Sequence, residues 1–246
     1  MNIEGKVALI TGGAHRVGKA ITMELAQKGA DVIINYNQSK DMALTTAQEA
    51  ETLGVRAITK KANVANREEV SAMISESEDL LGPIQILINS ASFFAKTKLP
   101  TDTTKDWDQV INTLIQGSFN CSNSVAPMMQ EASAGVIINI VDLMAWIPRP
   151  GYAAHSVGKA ALMALTRQLA VDLAPNIRVN AVAPGPVLSP DHYSKETRDR
   201  IASGTLLQRW GTPADVSHSV TFLIESDYIT GEHITVDGGE RYGGNQ

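Results

Sequence analysis

Short apolar, β-rich runs alternate with helix-patterned stretches along the whole chain, and this alternation restricts the fold more than any other feature. The spacing predicts strands over Lys6–Thr11, Asp31–Tyr36, Val55–Lys60, Ile84–Asn89, Gly135–Val141, Ile177–Ala183 and His233–Val236. Helices are expected between them, over Gly18–Lys28, Lys40–Leu53, Arg67–Leu81, Asp106–Gln130, Tyr152–Leu173 and Pro213–Glu225. Runs such as Val32-Ile33-Ile34-Asn35 and Gln85-Ile86-Leu87-Ile88-Asn89 are apolar at successive positions, so both faces of those strands must be covered. Strands of that kind joined by helical crossovers give an α/β architecture, a doubly wound parallel sheet of seven strands with helices on both faces. At 246 residues, without a repeat, low-complexity tract or linker, the chain reads as a single domain over 1–246.

One segment interrupts the rhythm. Pro184–Thr212 is rich in Pro, Gly, Ser and charge and follows a strand end, which predicts a substrate lid around 185–212 with a small helix. Trp210 and Leu206–Leu207 are expected to close that lid on the pocket. A formal net charge of -5 argues against nucleic-acid and anionic-membrane surfaces, both of which need a basic face. Cys121 is the lone cysteine, so an intrachain disulfide framework and a cysteine-rich metal site are excluded, and no metal is expected. No apolar run approaches bilayer length, and the chain enters a strand pattern within its first residues without a signal segment. A cytoplasmic protein acting on a small-molecule substrate is the expectation.

The first strand runs into Thr11-Gly12-Gly13-Ala14-His15-Arg16-Val17-Gly18 and then opens a helix. Glycine lets such a turn close tightly on a pyrophosphate, whose charge sits at the helix N-terminus. A turn that merely joins strand to helix is the bland alternative, and the position near the N-terminus favours binding. Dinucleotide enzymes that take NAD place an acid after the second strand to hold the ribose 2′-hydroxyl. Here that strand ends in Tyr36-Asn37-Gln38-Ser39-Lys40, with no acid before Asp41. Ser39 can donate to a 2′-phosphate, and Lys40 or Arg16 can neutralise it, so NADPH is the expected cofactor. Ser39 also suits the helix cap.

These residues resemble the short-chain dehydrogenase/reductase motif Thr-Gly-x-x-x-Gly-x-Gly, with Arg16 where the middle glycine usually stands. Asn89-Ser90-Ala91, Asn112, Lys159 and Pro184-Gly185 match further landmarks of the family, and the resemblance extends over nearly the whole chain. It implies a Rossmann-like fold and a cofactor site built from Gly12, His15, Arg16, Val17, Tyr36, Asn37, Gln38 and Ser39. Asn63, Val64, Asn89, Ser90, Ala91, Lys159, Pro184, Gly185 and Val187 complete that set, Asn63 standing where relatives often carry an aspartate on the adenine. Family members pair their two longest helices between subunits, so the resemblance also implies a homotetramer.

In the family a tyrosine four residues before the lysine exchanges the substrate proton. That position here is His155, and Asp142 replaces the usual serine on the fifth strand. Arg16, Asp142 and Asn89-Ser90-Ala91-Ser92-Phe93-Phe94 are similar to the pteridine reductases, which reduce dihydropterins with NADPH. That likeness implies catalytic roles for Asp142, His155, Lys159 and Asn112, and substrate contacts from Ser92, Phe94, Asp142, Trp146 and Leu188. His155 and Lys159 are four apart on a helix and share a face. A lysine cation disfavours an imidazolium, whereas a carboxylate stabilises one through a charge-assisted hydrogen bond. Asp142 and His155 are therefore expected to deliver the proton, with Lys159 mainly holding the ribose. Two alternatives stay open. Tyr152, seven residues before Lys159, has the tyrosine-to-lysine spacing of the enoyl-acyl-carrier-protein reductases. A non-catalytic NADP(H)-binding regulatory protein is the other. His15 reads as an exposed turn residue and Trp107 as interface or core; His192, His218 and His233 carry no expected role.

Overall fold

The computed structural model describes residues 1–243. Seven parallel strands form one sheet: β1 (Val7–Thr11), β2 (Asp31–Tyr36), β3 (Ala57–Lys61), β4 (Ile86–Asn89), β5 (Gly135–Ile140), β6 (Ile177–Pro184) and β7 (His233–Val236). Their order across the sheet is β3-β2-β1-β4-β5-β6-β7. Period-2 alternation sends successive apolar residues of the central strands to opposite faces. Ala8 and Ile10, Val32 and Ile34, and Ile86 and Ile88 enter the core on one face, while Leu9, Ile33 and Leu87 enter the other. Helices α1 (Arg16–Gln27), α2 (Lys40–Glu51) and α8 (Pro213–Glu225) cover the first face. Helices α3 (Arg67–Leu81), α5 (Gly117–Glu131) and α6 (Ala153–Leu173) cover the second. The expected Rossmann-like doubly wound architecture is present.

Strand limits differ from expectation by two residues at most, and the third strand is the clearest shift, starting at Ala57 rather than Val55. The helix expected over Asp106–Gln130 is three pieces: α4 (Lys105–Ile111), a π-helical turn over Asn112–Gln116, and α5. A π turn inserts one residue into the helical repeat and rotates every side chain after it. The segment expected as a lid carries a small helix, α7 (Lys195–Ser203), which buries no residue. A final turn, α9 (Glu240–Gly243), follows β7. Among the described residues no helix is long and apolar enough to cross a membrane.

The strand order reverses between β1 and β4, and the crevice at the carboxyl ends of such strands is where ligands bind in open α/β sheets. That crevice is a cleft of about 780 Å³.

Candidate active site

The floor of the cleft is built by side chains that tie strand ends together. Thr11 Oγ1 accepts from the backbone N–H groups of Ser90 and Ala91, both at 3.0 Å, and donates to the Ile88 carbonyl at 3.3 Å. Asn35, buried at the end of β2, accepts from Gly12 N–H at 3.4 Å and donates to the Ala62 carbonyl at 3.0 Å. The glycine turn is tight because its side chains would collide. A Cβ on Gly18 would strike the Gly12 carbonyl, and one on Gly12, at φ 63, would come within 3.0 Å of Ala91. Arg16 takes φ 55, a conformation that costs a non-glycine residue about 1–2 kcal/mol, and its Nη2 reaches the Leu188 carbonyl at 3.4 Å. This arrangement fits a dinucleotide: a backbone cradle at the start of α1, polar Asn37, Gln38 and Ser39 after β2, and Asn63 and Val64 after β3, all on one cleft.

At the other end of the cleft stand Asp142, His155 and Lys159. Asp142 follows β5 and accepts from Met144 N–H at 2.8 Å, which starts the short turn Leu143–Ala145. His155 and Lys159 lie on α6 and are both buried. His155 Nε2 lies 3.5 Å from Asp142 Oδ2. Its two ring nitrogens have no hydrogen-bond partner among the described residues, so that 3.5 Å approach is a close contact rather than an aligned bond. Burial pushes the Asp142 carboxyl up, but the nearby His155 ring, the hydrogen bond from Met144 N–H and the charge of Lys159 outweigh it, leaving it below its usual range. Burial pushes the Lys159 ammonium down to about 8 against the opposing pull of Asp142, and Nζ donates to the Ile140 carbonyl at 2.7 Å.

Most residues singled out in the sequence meet here. Gly12, His15, Arg16, Val17, Tyr36, Asn37, Gln38, Ser39, Asn63, Val64, Ser90, Ala91, Pro184, Gly185, Val187 and Leu188 line the cleft, as do Ser92 and Phe94. Five expectations need correction. Asn112 is exposed and does not line the cleft, where Gln109 and Thr113 stand instead. Asn89 lies beneath the floor, donating to Asn139 at 2.8 Å and Ser122 at 3.1 Å. Trp146 packs its ring 4.8 Å from that of His233 instead of facing the cleft. Tyr152 caps α6 and stacks on Phe94 at 4.9 Å, and is not part of the cleft wall. Leu206 and Leu207 line a separate cavity of about 410 Å³, whereas Trp210 does face the cleft.

Arg149 and Glu240 also line the cleft and pair at 2.6 Å, a contact without a sequence signal. Burial pushes the Glu240 carboxyl above its usual range, Arg149 opposing. Asn35 did carry a signal, since it is polar within an otherwise apolar strand.

Residues 12–240 match a protein family described as enoyl-(acyl carrier protein) reductase. A 3-oxoacyl-[acyl-carrier-protein] reductase FabG of Staphylococcus epidermidis is 36% identical over 239 residues, covering 95% of this chain and 98% of the relative. The FabG of Thermotoga maritima is 36% identical over 244 residues, covering 97% and 99%. Among solved structures, FolM alternative dihydrofolate reductase 1 from Brucella canis, complexed with NADP, superposes with a TM-score of 0.93. It is 31% identical and covers 100% of this chain and 97% of that one. A gluconate 5-dehydrogenase from Burkholderia cenocepacia, with NADP and tartrate, superposes with a TM-score of 0.90 at 30% identity, covering 97% and 96%. A parallel sheet in this strand order, a glycine turn at its switch point and matches over nearly the full length place the chain in the short-chain dehydrogenase/reductase family.

Proposed function

We propose that the protein is an NADPH-dependent reductase of a pterin-type substrate, a dihydropterin or dihydrofolate, in which Asp142 and His155 deliver the proton. The observation that carries this reading is the buried imidazole facing a carboxylate at 3.5 Å, with both ring nitrogens unpartnered in the cleft that holds the glycine turn. NADPH supplies the hydride when bound. The chain's residues do the rest. Asn37, Gln38 and Ser39 carry no charge that would repel a 2′-phosphate, and Arg16 can neutralise one. Asp142, held ionised, stabilises the His155 imidazolium, which gives its proton to the substrate ring and regains one by way of Asp142, the more exposed of the two. Lys159, whose Nζ donates to the Ile140 carbonyl, would hold the ribose of bound NADPH. Phe94, half-exposed on the cleft wall, offers a face to a planar ring. The likeness to the Brucella dihydrofolate reductase supports the pterin.

The second reading is reduction of an acyl-carrier-protein thioester, favoured by the family description and the 36% identical relatives. Its enoyl form would need Tyr152, whose ring lies behind Phe94. The test is NADPH oxidation with dihydrobiopterin, with acetoacetyl thioester and with crotonyl thioester. Pterin turnover alone is the expected result. Turnover of a thioester alone overturns the pterin reading, and tight NADPH binding without either reaction leaves a non-catalytic cofactor binder. A homotetramer belongs to the same proposal: Phe119 on α5 and Val157 and Val171 on α6 are exposed apolar side chains that a partner subunit would cover.

A further inference from the structure

Asp142 and His155 sit at the two ends of one loop. The short turn Leu143–Ala145 follows Asp142, residues 146–150 run exposed over the surface, and α6 then brings back His155. Hydrogen bonds at two points hold this loop to the rest of the molecule, beside the packing of Trp146 on His233. At its far end Thr97 accepts from Ala154 N–H through its side chain at 2.8 Å and donates its own N–H to the Gly151 carbonyl at 2.8 Å. At its middle, Arg149 Nη2 donates to Glu240 Oε1 at 2.6 Å.

The C-terminal turn that presents Glu240 is itself fixed. The buried Asp237 carboxylate accepts from the N–H groups of Gly239 at 3.0 Å and Arg241 at 3.1 Å. Gly185 at the end of β6 makes room for it, because a Cβ there would come within 2.8 Å of Asp237 and 3.2 Å of Glu240 Oε2. Glu240 is mostly buried while Arg149 is half-exposed, so the carboxylate is the anchor and the guanidinium the movable partner. A charge-assisted bond of this length in a partly water-excluded place is stronger than an ordinary surface pair.

We propose that Glu240 is a positioning residue that, through Arg149, holds the loop whose ends carry Asp142 and His155 and so sets the spacing of the proton-delivering pair. The inference rests on the reading of that pair as the proton donor. A catalytic constellation tolerates displacements of only about 0.5 Å, so a loose loop lowers the chemical step rather than cofactor binding.

The experiment is a double-mutant cycle on the full chain, with Arg149→Ala, Glu240→Ala and the two together, and Arg149→Lys as the conservative variant. Each alanine variant is expected to lower kcat for dihydrobiopterin about tenfold, a misplacement effect, with NADPH affinity unchanged. The double variant should be no slower than either single one, since both remove the same tie, and Arg149→Lys should recover part of kcat. Amide exchange across residues 146–152 should quicken in both alanine variants. Unchanged kcat, multiplicative losses, or losses confined to KM or NADPH affinity would each overturn the proposal. If the wild-type protein reduces no pterin, the pterin reading falls and exchange alone decides: unchanged exchange in Glu240→Ala overturns the positioning role.

Discussion

His155 faces Asp142 across 3.5 Å between the start of α6 and the end of β5, yet neither ring nitrogen has a hydrogen-bond partner among the described residues. A buried polar group without a partner costs about 1–3 kcal/mol, so the fold keeps this ring free at a price in stability. Asp142→Asn preserves the shape and removes the charge that stabilises the imidazolium. Turnover of dihydrobiopterin should fall by about 10²-fold, and the dependence of kcat on pH between roughly 5 and 8 should change shape. Unaltered rates across that range would remove Asp142 from the proton path.

Replacing the ring separates function from stability. His155→Phe should abolish turnover while leaving the melting temperature equal to or above that of the wild type, because two unpartnered nitrogens leave the interior. NADPH oxidation with dihydrobiopterin and thermal unfolding measure the two. A melting temperature several degrees lower would mean that the imidazole is structurally bonded.

Lys159 links stability to alkaline pH. Its folded value of about 8 lies below its ordinary 10.5, so between these values the unfolded chain binds more protons and stability rises with pH. Urea unfolding of the cofactor-free protein at pH 7.5 and 9.5 should show wild type gaining on Lys159→Met as pH rises. Equal differences at the two values would show that the ammonium is not desolvated.

Tyr152→Phe tests the enoyl alternative. The Tyr152 ring stacks on Phe94 outside the cleft wall, so loss of its hydroxyl should leave dihydrobiopterin turnover within about threefold of wild type. A loss comparable to that of Asp142→Asn would move the proton donor to Tyr152.

Gly18→Ala probes the cofactor cradle without touching the reacting end. The added methyl would meet the Gly12 carbonyl, so the turn must open and NADPH affinity should fall by at least about tenfold. The fold should persist, since the sheet core does not include this contact. Isothermal titration of NADPH reads the result, and wild-type affinity would show that the turn yields freely.

The sheet was legible because its signals are local. Continuous apolar runs such as Ile86-Leu87-Ile88 fix a strand covered on both faces, and the glycine turn with Asn37-Gln38-Ser39 after β2 fixes where a dinucleotide can lie. The spacing of His155 and Lys159 on one helix face follows from the helical repeat alone. Asn112 was misplaced because counting along a helix does not say which of its faces the sheet turns to the cleft: Gln109 and Thr113, four residues apart, line it, and Asn112 is exposed. Trp146 and Tyr152 have short-range spacings that suit the pocket, but ring packing against His233 and Phe94 draws them away. Arg149 and Glu240 are 91 residues apart and meet only because β6 and β7 are neighbours and Gly185 leaves room for the C-terminal turn. Periodicity and turn chemistry are written along the chain, and they determined the sheet and the cofactor end. The reacting end depended on which distant loops the finished sheet brought together, because its contacts belong to the packing and not to any one stretch of sequence.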